Sequence, residues 1–166
     1  MTAKEIIRGR RVLIVDDERD VLDTMIELLD LCKIDTAENF EKAKEQLENN
    51  IYDVVILDIM GVRGFDLLKI ANELGVPSIM FTAHAFSEDT LIKAAKEDAN
   101  YYVPKEKMDQ IEIFLADVIE SVEKKKNPWV KCFERLGNFY DQRFGGTDWR
   151  EKEKNFWEKK ISNELL

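Results

Sequence analysis

The chain's 166 residues suit one domain of ordinary size with room for an appendage, and 45% hydrophobic content is enough to build a core. A formal net charge of −9 argues against nucleic acid as a partner. No apolar run approaches the ~18 residues of a membrane helix, the N-terminus lacks a signal-peptide core, and two cysteines without metal-type spacing, Cys32 and Cys132, fit free thiols in a reducing, cytoplasmic setting.

Residues 1–10 are polar and read as a loose leader. Arg11 to Val15 is an apolar run that ends on Asp16, Asp17 and Glu18. Val21, Leu22, Met25, Leu28 and Leu29 then mark one face of a helix. Ile34 to Ala37 is a short strand, and Asn39 caps a helix running to about Glu48. Asp53 to Asp58 is β-branched and apolar between acids, the composition of a strand buried on both faces.

A glycine-bearing loop follows, then a helix over Phe65–Leu74 with Gly75 at its C-terminal cap. Val76 to Phe81 is a fourth strand stopping at Thr82, and Ser87 caps a helix to about Asp98. Tyr101 to Val103 is a fifth strand stopping at Lys105. A long amphipathic helix through Met108, Ile111, Phe114, Leu115, Val118, Ile119 and Val122 ends in three lysines. Strand and helix alternate five times, which predicts an α/β domain with a parallel sheet.

Charge and aromatic content change near Asn127-Pro128. Residues 1–126 carry a balance of −10, whereas residues 127–166 carry +1 and all three tryptophans. We therefore divide the chain into a domain over 10–126 and an extension over 127–166. In the extension, Asn127 and Pro128 start a helix bearing Trp129, Phe133, Leu136 and Tyr140. Gly145-Gly146 breaks it. Thr147 or Asp148 caps a second helix, with Glu151 placed for a capping box and Trp149, Phe156, Trp157, Ile161 and Leu165 at mostly helical spacing. The result is a helical hairpin with an aromatic face. Two readings of that face stand open: an extension of the core in cis, or a partner or dimer surface.

The predicted strands end on Asp16/Asp17, Asp58, Thr82 and Lys105, and in a parallel sheet those ends share one edge. Singly, each residue has an ordinary reading as a cap, a turn or a surface group. Jointly they suggest chemistry. Clustered carboxylates raise one another's pKa, and a hard cation such as Mg²⁺ relieves the repulsion. An aspartate can act as a nucleophile and become an aspartyl phosphate. The set reads as a metal-assisted phosphoryl acceptor.

These residues resemble the receiver domain of two-component response regulators. Val-Leu-Ile-Val-Asp16-Asp17-Glu18 is similar to the family's first strand and acidic pair, Val-Val-Ile-Leu-Asp58 to its phosphoacceptor strand, Met-Phe-Thr82-Ala83 to its hydroxyl strand, and Tyr102-Val-Pro-Lys105 to its last strand. Asp-Thr-Ala-Glu-Asn and Gly64-Phe-Asp-Leu-Leu also match the family's phrasing, and the resemblance covers about residues 10–124. It implies a flavodoxin-like five-stranded sheet in order 2-1-3-4-5. It implies that Asp58 accepts phosphate from a sensor histidine kinase or a phosphotransfer protein. Asp17, Asp58 and the Met60 carbonyl would hold Mg²⁺, with Asp16 acting through a metal-bound water. Lys105 would pair with the phosphate and Thr82 would hydrogen-bond to it, with Tyr102 following Thr82 as a switch. The implied output is a downstream protein partner, with a homodimer left open, and the only self-directed chemistry is slow autodephosphorylation.

The chain departs from the family in three places. The stretch from Asp58 to Gly64 is shorter than usual and lacks a proline. Glu106, not Pro, follows Lys105, which predicts a trans bond because a non-proline cis bond costs roughly 3 kcal/mol. Met60 and His84 occupy places that, by the resemblance, tune phosphate lifetime in the family, and His84, the only histidine, reads as a solvent-facing loop residue. The alternatives are a receiver-like interaction module that ignores phosphate, and an aspartate-nucleophile phosphohydrolase. The latter needs a second Asp where this chain has Met60.

Overall fold

A computed structural model describes residues 1–162. Five strands, β1 (Arg11–Val15), β2 (Lys33–Ala37), β3 (Val54–Asp58), β4 (Ser78–Thr82) and β5 (Tyr101–Pro104), form one sheet in order β2-β1-β3-β4-β5. Every pairing is parallel, with Val12 opposite Val54, Asp58 opposite Phe81 and Thr82 opposite Pro104. β3, β4 and β5 are buried at every position, so helices cover both faces of the centre, as the β-branched composition of β3 predicts for that strand. This is the α/β, flavodoxin-like arrangement expected from the sequence.

The connecting helices are α2 (Arg19–Leu28), α3 (Phe40–Asn49), α4 (Gly64–Glu73), α5 (Glu88–Lys96) and α6 (Ile111–Glu123). Their ends follow local chemistry. The Asn39 side chain accepts from the Lys42 amide at the start of α3. Ser87 and Thr90 exchange side-chain and backbone hydrogen bonds in a capping box at the start of α5. Gly75 adopts a φ of 73° just past α4.

The structure corrects several expectations. The leader is not loose: Ala3–Ile7 form α1, capped by Thr2, with Ile6 and Ile7 buried against α6. Two adjacent isoleucines are too short a pattern to show helical periodicity, so only the α6 surface reveals their purpose. Met108 does not begin the long helix. It lies in a 3-10 turn over Lys105–Gln110, with Lys107 outside helical geometry, before α6 starts at Ile111.

The extension forms α7 (Pro128–Arg143), α8 (Asp148–Lys152) and α9 (Lys154–Ser162), so its predicted second helix is broken at Glu153. Thr147 takes the N-cap place of α8 without a side-chain bond, and the anticipated capping box is not formed. Leu165 lies outside the described residues. The aromatic face turns inward on the rest of the chain. Trp129, Tyr140, Trp149 and Trp157 are all buried in one core continuous with the sheet. Trp129 Nε1 donates to the Ala99 carbonyl at 2.8 Å. Arg135 forks onto Asp117, which also accepts from the Tyr101 hydroxyl at 2.9 Å. The in-cis reading of the face therefore holds for these rings. Burying several aromatics against a strand at the sheet edge removes far more apolar area from water than an isolated hairpin could.

Candidate functional site

β1 and β3 are neighbours whose following helices run to opposite sides, and a crevice opens beyond their carboxyl ends. A cavity of about 300 Å³ lies there, lined by Asp17, Glu18, Asp58, Met60, Gly61, Thr82, His84 and Lys105. Asp16 sits fully buried behind it. The fold thus brings Asp16, Asp17, Asp58, Met60, Thr82 and Lys105 to one place. Tyr102 does not line the cavity. Its ring is buried, its hydroxyl bonds Thr90 Oγ1, and Phe86 stacks on it at 5.4 Å.

Lys105 is the electrostatic centre of the site. Its Nζ lies 2.8 Å from Asp16 Oδ2, 3.3 Å from Glu18 Oε1 and 3.5 Å from Asp58 Oδ1. Burial alone would lower its pKa, but contact with Asp16 and the charges of Asp58 and Asp16 outweigh it and hold the ammonium above its ordinary value. One lysine cannot balance this many acids. Burial pushes the Asp58 carboxyl up to about 7, with the Asp16 charge adding to the rise and Lys105 opposing it. Burial also raises Asp16, against its contact with Lys105 and the Glu18 amide. Thr82 Oγ1 accepts from the Ala85 amide at 3.2 Å. The Lys105–Glu106 bond is trans, and Lys105 reaches the acids although Pro104 precedes it.

The donor chemistry suits a hard cation. Carboxylate oxygens of Asp16, Asp17 and Glu18 lie within 4.8 Å of one another. The Lys105 ammonium is shared among Asp16 Oδ2, Glu18 Oε1 and Asp58 Oδ1. The negative charge that one ammonium leaves over, beside a carboxyl driven towards its neutral form, is what a bound divalent ion would relieve. Sequence reasoning recognised Glu18 as a strand-end acid but gave it no part in the cluster. Its signal was only adjacency to two aspartates.

The short loop after Asp58 closes through backbone geometry. Gly61 has a φ of 85° and Arg63 a φ of 57°, two left-handed residues within one turn. Arg63 is held there by its bond to Asp66 Oδ2 at 2.8 Å and by stacking 4.0 Å above the Phe40 ring. Gly64 then packs so closely that an added Cβ would fall 2.1 Å from the Asp58 carbonyl oxygen. At Gly61 an added Cβ would meet Asp17 Oδ2 at 2.2 Å. Gly61→Ala is therefore expected to displace Asp17 and to cost about 1–3 kcal/mol of stability. Urea unfolding checks the second effect, and Mg²⁺ titration of the folded variant, expected to show weakened binding, checks the first.

Comparison with known proteins decides the family. The model of the response regulator receiver domain matches residues 12–116. The chain belongs to the response regulator receiver family. Among curated relatives of this receiver, the two-component response regulator ARR18 of Arabidopsis thaliana is 38% identical over 103 residues, covering 58% of this chain and 16% of the relative. The sensory transduction protein LytT of Bacillus subtilis is 37% identical over 101 residues, covering 57% and 42% respectively. The receiver chain thus spans less than half the length of these relatives. A solved response regulator receiver domain protein from Clostridium thermocellum aligns with a TM-score of 0.61 and 27% identity, over 69% of this chain and 97% of that one. The Francisella response regulator 1452 receiver domain shares the fold, with a TM-score of 0.62 over 69% of this chain and 99% of that one, at 22% identity. Among the described residues no helix is long and apolar enough to cross a membrane.

Proposed function

We propose that this receiver takes a phosphoryl group onto Asp58 from the phosphohistidine of a sensor histidine kinase or phosphotransfer protein, and passes the resulting state to a downstream protein partner. The observation that carries the reading is Asp58 at the end of β3, with Lys105 Nζ 3.5 Å away and Thr82 on the same open cavity. A carboxylate oxygen of Asp58 attacks phosphorus. The phosphorus–nitrogen bond breaks, and its electron pair leaves with the imidazole, which takes up a proton. The product is a mixed anhydride on Asp58. Lys105 pairs with the phosphoryl oxygens and Thr82 donates its hydroxyl proton to one of them. Bound Mg²⁺ supplies neutralising charge to those oxygens; Asp17, Asp58 and the Met60 carbonyl are the residues that would hold it, with Asp16 acting through water.

The protein acts on its own phosphate only, by slow hydrolysis, and turns over no separate substrate. Residues 10–126 serve as the receiver, residues 127–166 as an extension, and the setting is cytoplasmic. Output through a homodimer remains within this reading.

Incubation with acetyl phosphate and Mg²⁺ is expected to add one phosphoryl group, with acetate as the other product, as read by intact-protein mass. Asp58→Asn is expected to abolish the gain. A parent protein that gains no mass under these conditions overturns the reading and favours an interaction module that ignores phosphate. Partner binding that survives Asp58→Asn unchanged and depends on the extension would then be its signature.

A further inference from the structure

We infer that the α7–α9 extension is a built-in ligand of the β5 edge, and that its docking and phosphorylation of Asp58 favour one another. The inference rests on the phosphoacceptor reading and adds the regulation of that site. Two routes of direct contact join the site to the extension. In the first, Thr82 Oγ1 accepts from the Ala85 amide, and the next residue, Phe86, stacks on Phe144 of the extension at 5.3 Å and 23°. Phe86 also lies 6.0 Å from the Tyr140 ring and 5.7 Å from Phe139. In the second, Lys105 faces Asp58, while the adjacent Glu106 forms an ion pair with Arg143 at the end of α7. Between these routes the Tyr140 hydroxyl donates to the Tyr102 carbonyl of β5, an edge strand paired only with β4.

The turn over 83–87 is thus gripped from two sides. The cavity side holds it through the Thr82 hydroxyl, and the extension holds it through the Phe86 ring. A phosphoryl group on Asp58 offers Thr82 a strong acceptor and fixes the turn from one side. A docked extension fixes the same turn from the other. Whichever comes second meets a segment already ordered and loses less conformational entropy, so the coupling is positive. It is reciprocal, because each event changes the other's equilibrium by the same factor.

The test uses the full chain with acetyl phosphate and Mg²⁺. Phe144→Ala and Arg143→Ala are expected to lower the phosphorylated fraction at steady state. Lys160→Ala, which removes the 3.2 Å contact between α9 and Asp98 and touches neither route, is expected to leave it at the parent value. Independently, amide hydrogen exchange within α7 is expected to slow about five-fold on phosphorylation, at the low end of typical couplings. Circular dichroism establishes that the variants fold, and Arg143→Ala suffices if Phe144→Ala does not. Unchanged phosphorylation in the folded variants, or α7 exchange that stays the same or accelerates, overturns the inference. A parent that takes no phosphate overturns it together with the phosphoacceptor reading, and is told apart by the absent mass gain.

Discussion

The Asp58→Asn protein is expected to be more stable than its parent in metal-free buffer at neutral pH and above. Asp58 is almost fully buried, and burial together with the Asp16 charge raises its carboxyl from 3.8 to about 7. A carboxyl whose folded pKa lies above its unfolded value binds its proton more tightly in the folded state. Its contribution therefore favours folding least when it is ionised. Stability falls as pH rises from about 4, and the loss is complete once pH passes about 7. The full rise corresponds to about 4 kcal/mol, and water at the open mouth of the site screens part of it, leaving about 2 kcal/mol. Asparagine carries no charge, so its advantage is absent near pH 4 and grows to that size above pH 7. Urea unfolding across this range in the presence of a chelator measures it. Millimolar Mg²⁺ should narrow the gap, because an ion that binds only the folded parent stabilises it by mass action. An Asp58→Asn protein that is no more stable than the parent at pH 8 would show that Lys105 already neutralises the cluster.

Trp129→Ala is expected to cost about 3–5 kcal/mol, the range for deleting a buried large aromatic. Trp129 is 1% exposed, and its ring lies 6.0 Å from Trp157 and 6.2 Å from Phe133. Removing it opens a cavity between α7, α9 and the sheet edge, and strips the Ala99 carbonyl of the indole donor. The loss should appear as a lower urea midpoint and faster amide exchange throughout α7–α9. Phe156→Ala, in a half-buried ring on the outer side of the same cluster, should cost visibly less. Equal losses for the two would mean that the extension is held by its surface ion pairs and not by the packing of α7.

The contrast between these residues bears on what could be read in the chain beforehand. The five strands and their order of appearance were legible because apolar runs bounded by acids have few other solutions. Asn39 and Ser87 were legible as caps because a cap bonds an amide only two or three residues away. The gathering of Asp16, Asp17, Asp58, Thr82 and Lys105 followed from the same logic, since parallel strands deliver their carboxyl ends to one edge. By contrast, α1 looked like a loose leader because its two isoleucines gain meaning only against α6. The loop closure at Arg63 had no signature, since arginine carries no bias towards a left-handed backbone and is held there by Asp66 and Phe40.

Periodicity marked Trp129, Phe133, Leu136 and Tyr140 as one face of a helix without revealing what they face. By itself the sequence determined the five strands, the helices that alternate with them, the class of sheet and the types of residue at its functional edge, because these depend on neighbours close along the chain. Only the tertiary structure decided that the aromatic extension docks on β5, that Glu18 joins the acids around Lys105, and that Glu106 meets Arg143. Those contacts join residues far apart in the chain: the parallel strands bring Glu18 to Lys105 at their carboxyl ends, and the sheet leaves an apolar edge and carbonyls, those of Ala99 and Tyr102, that the extension covers.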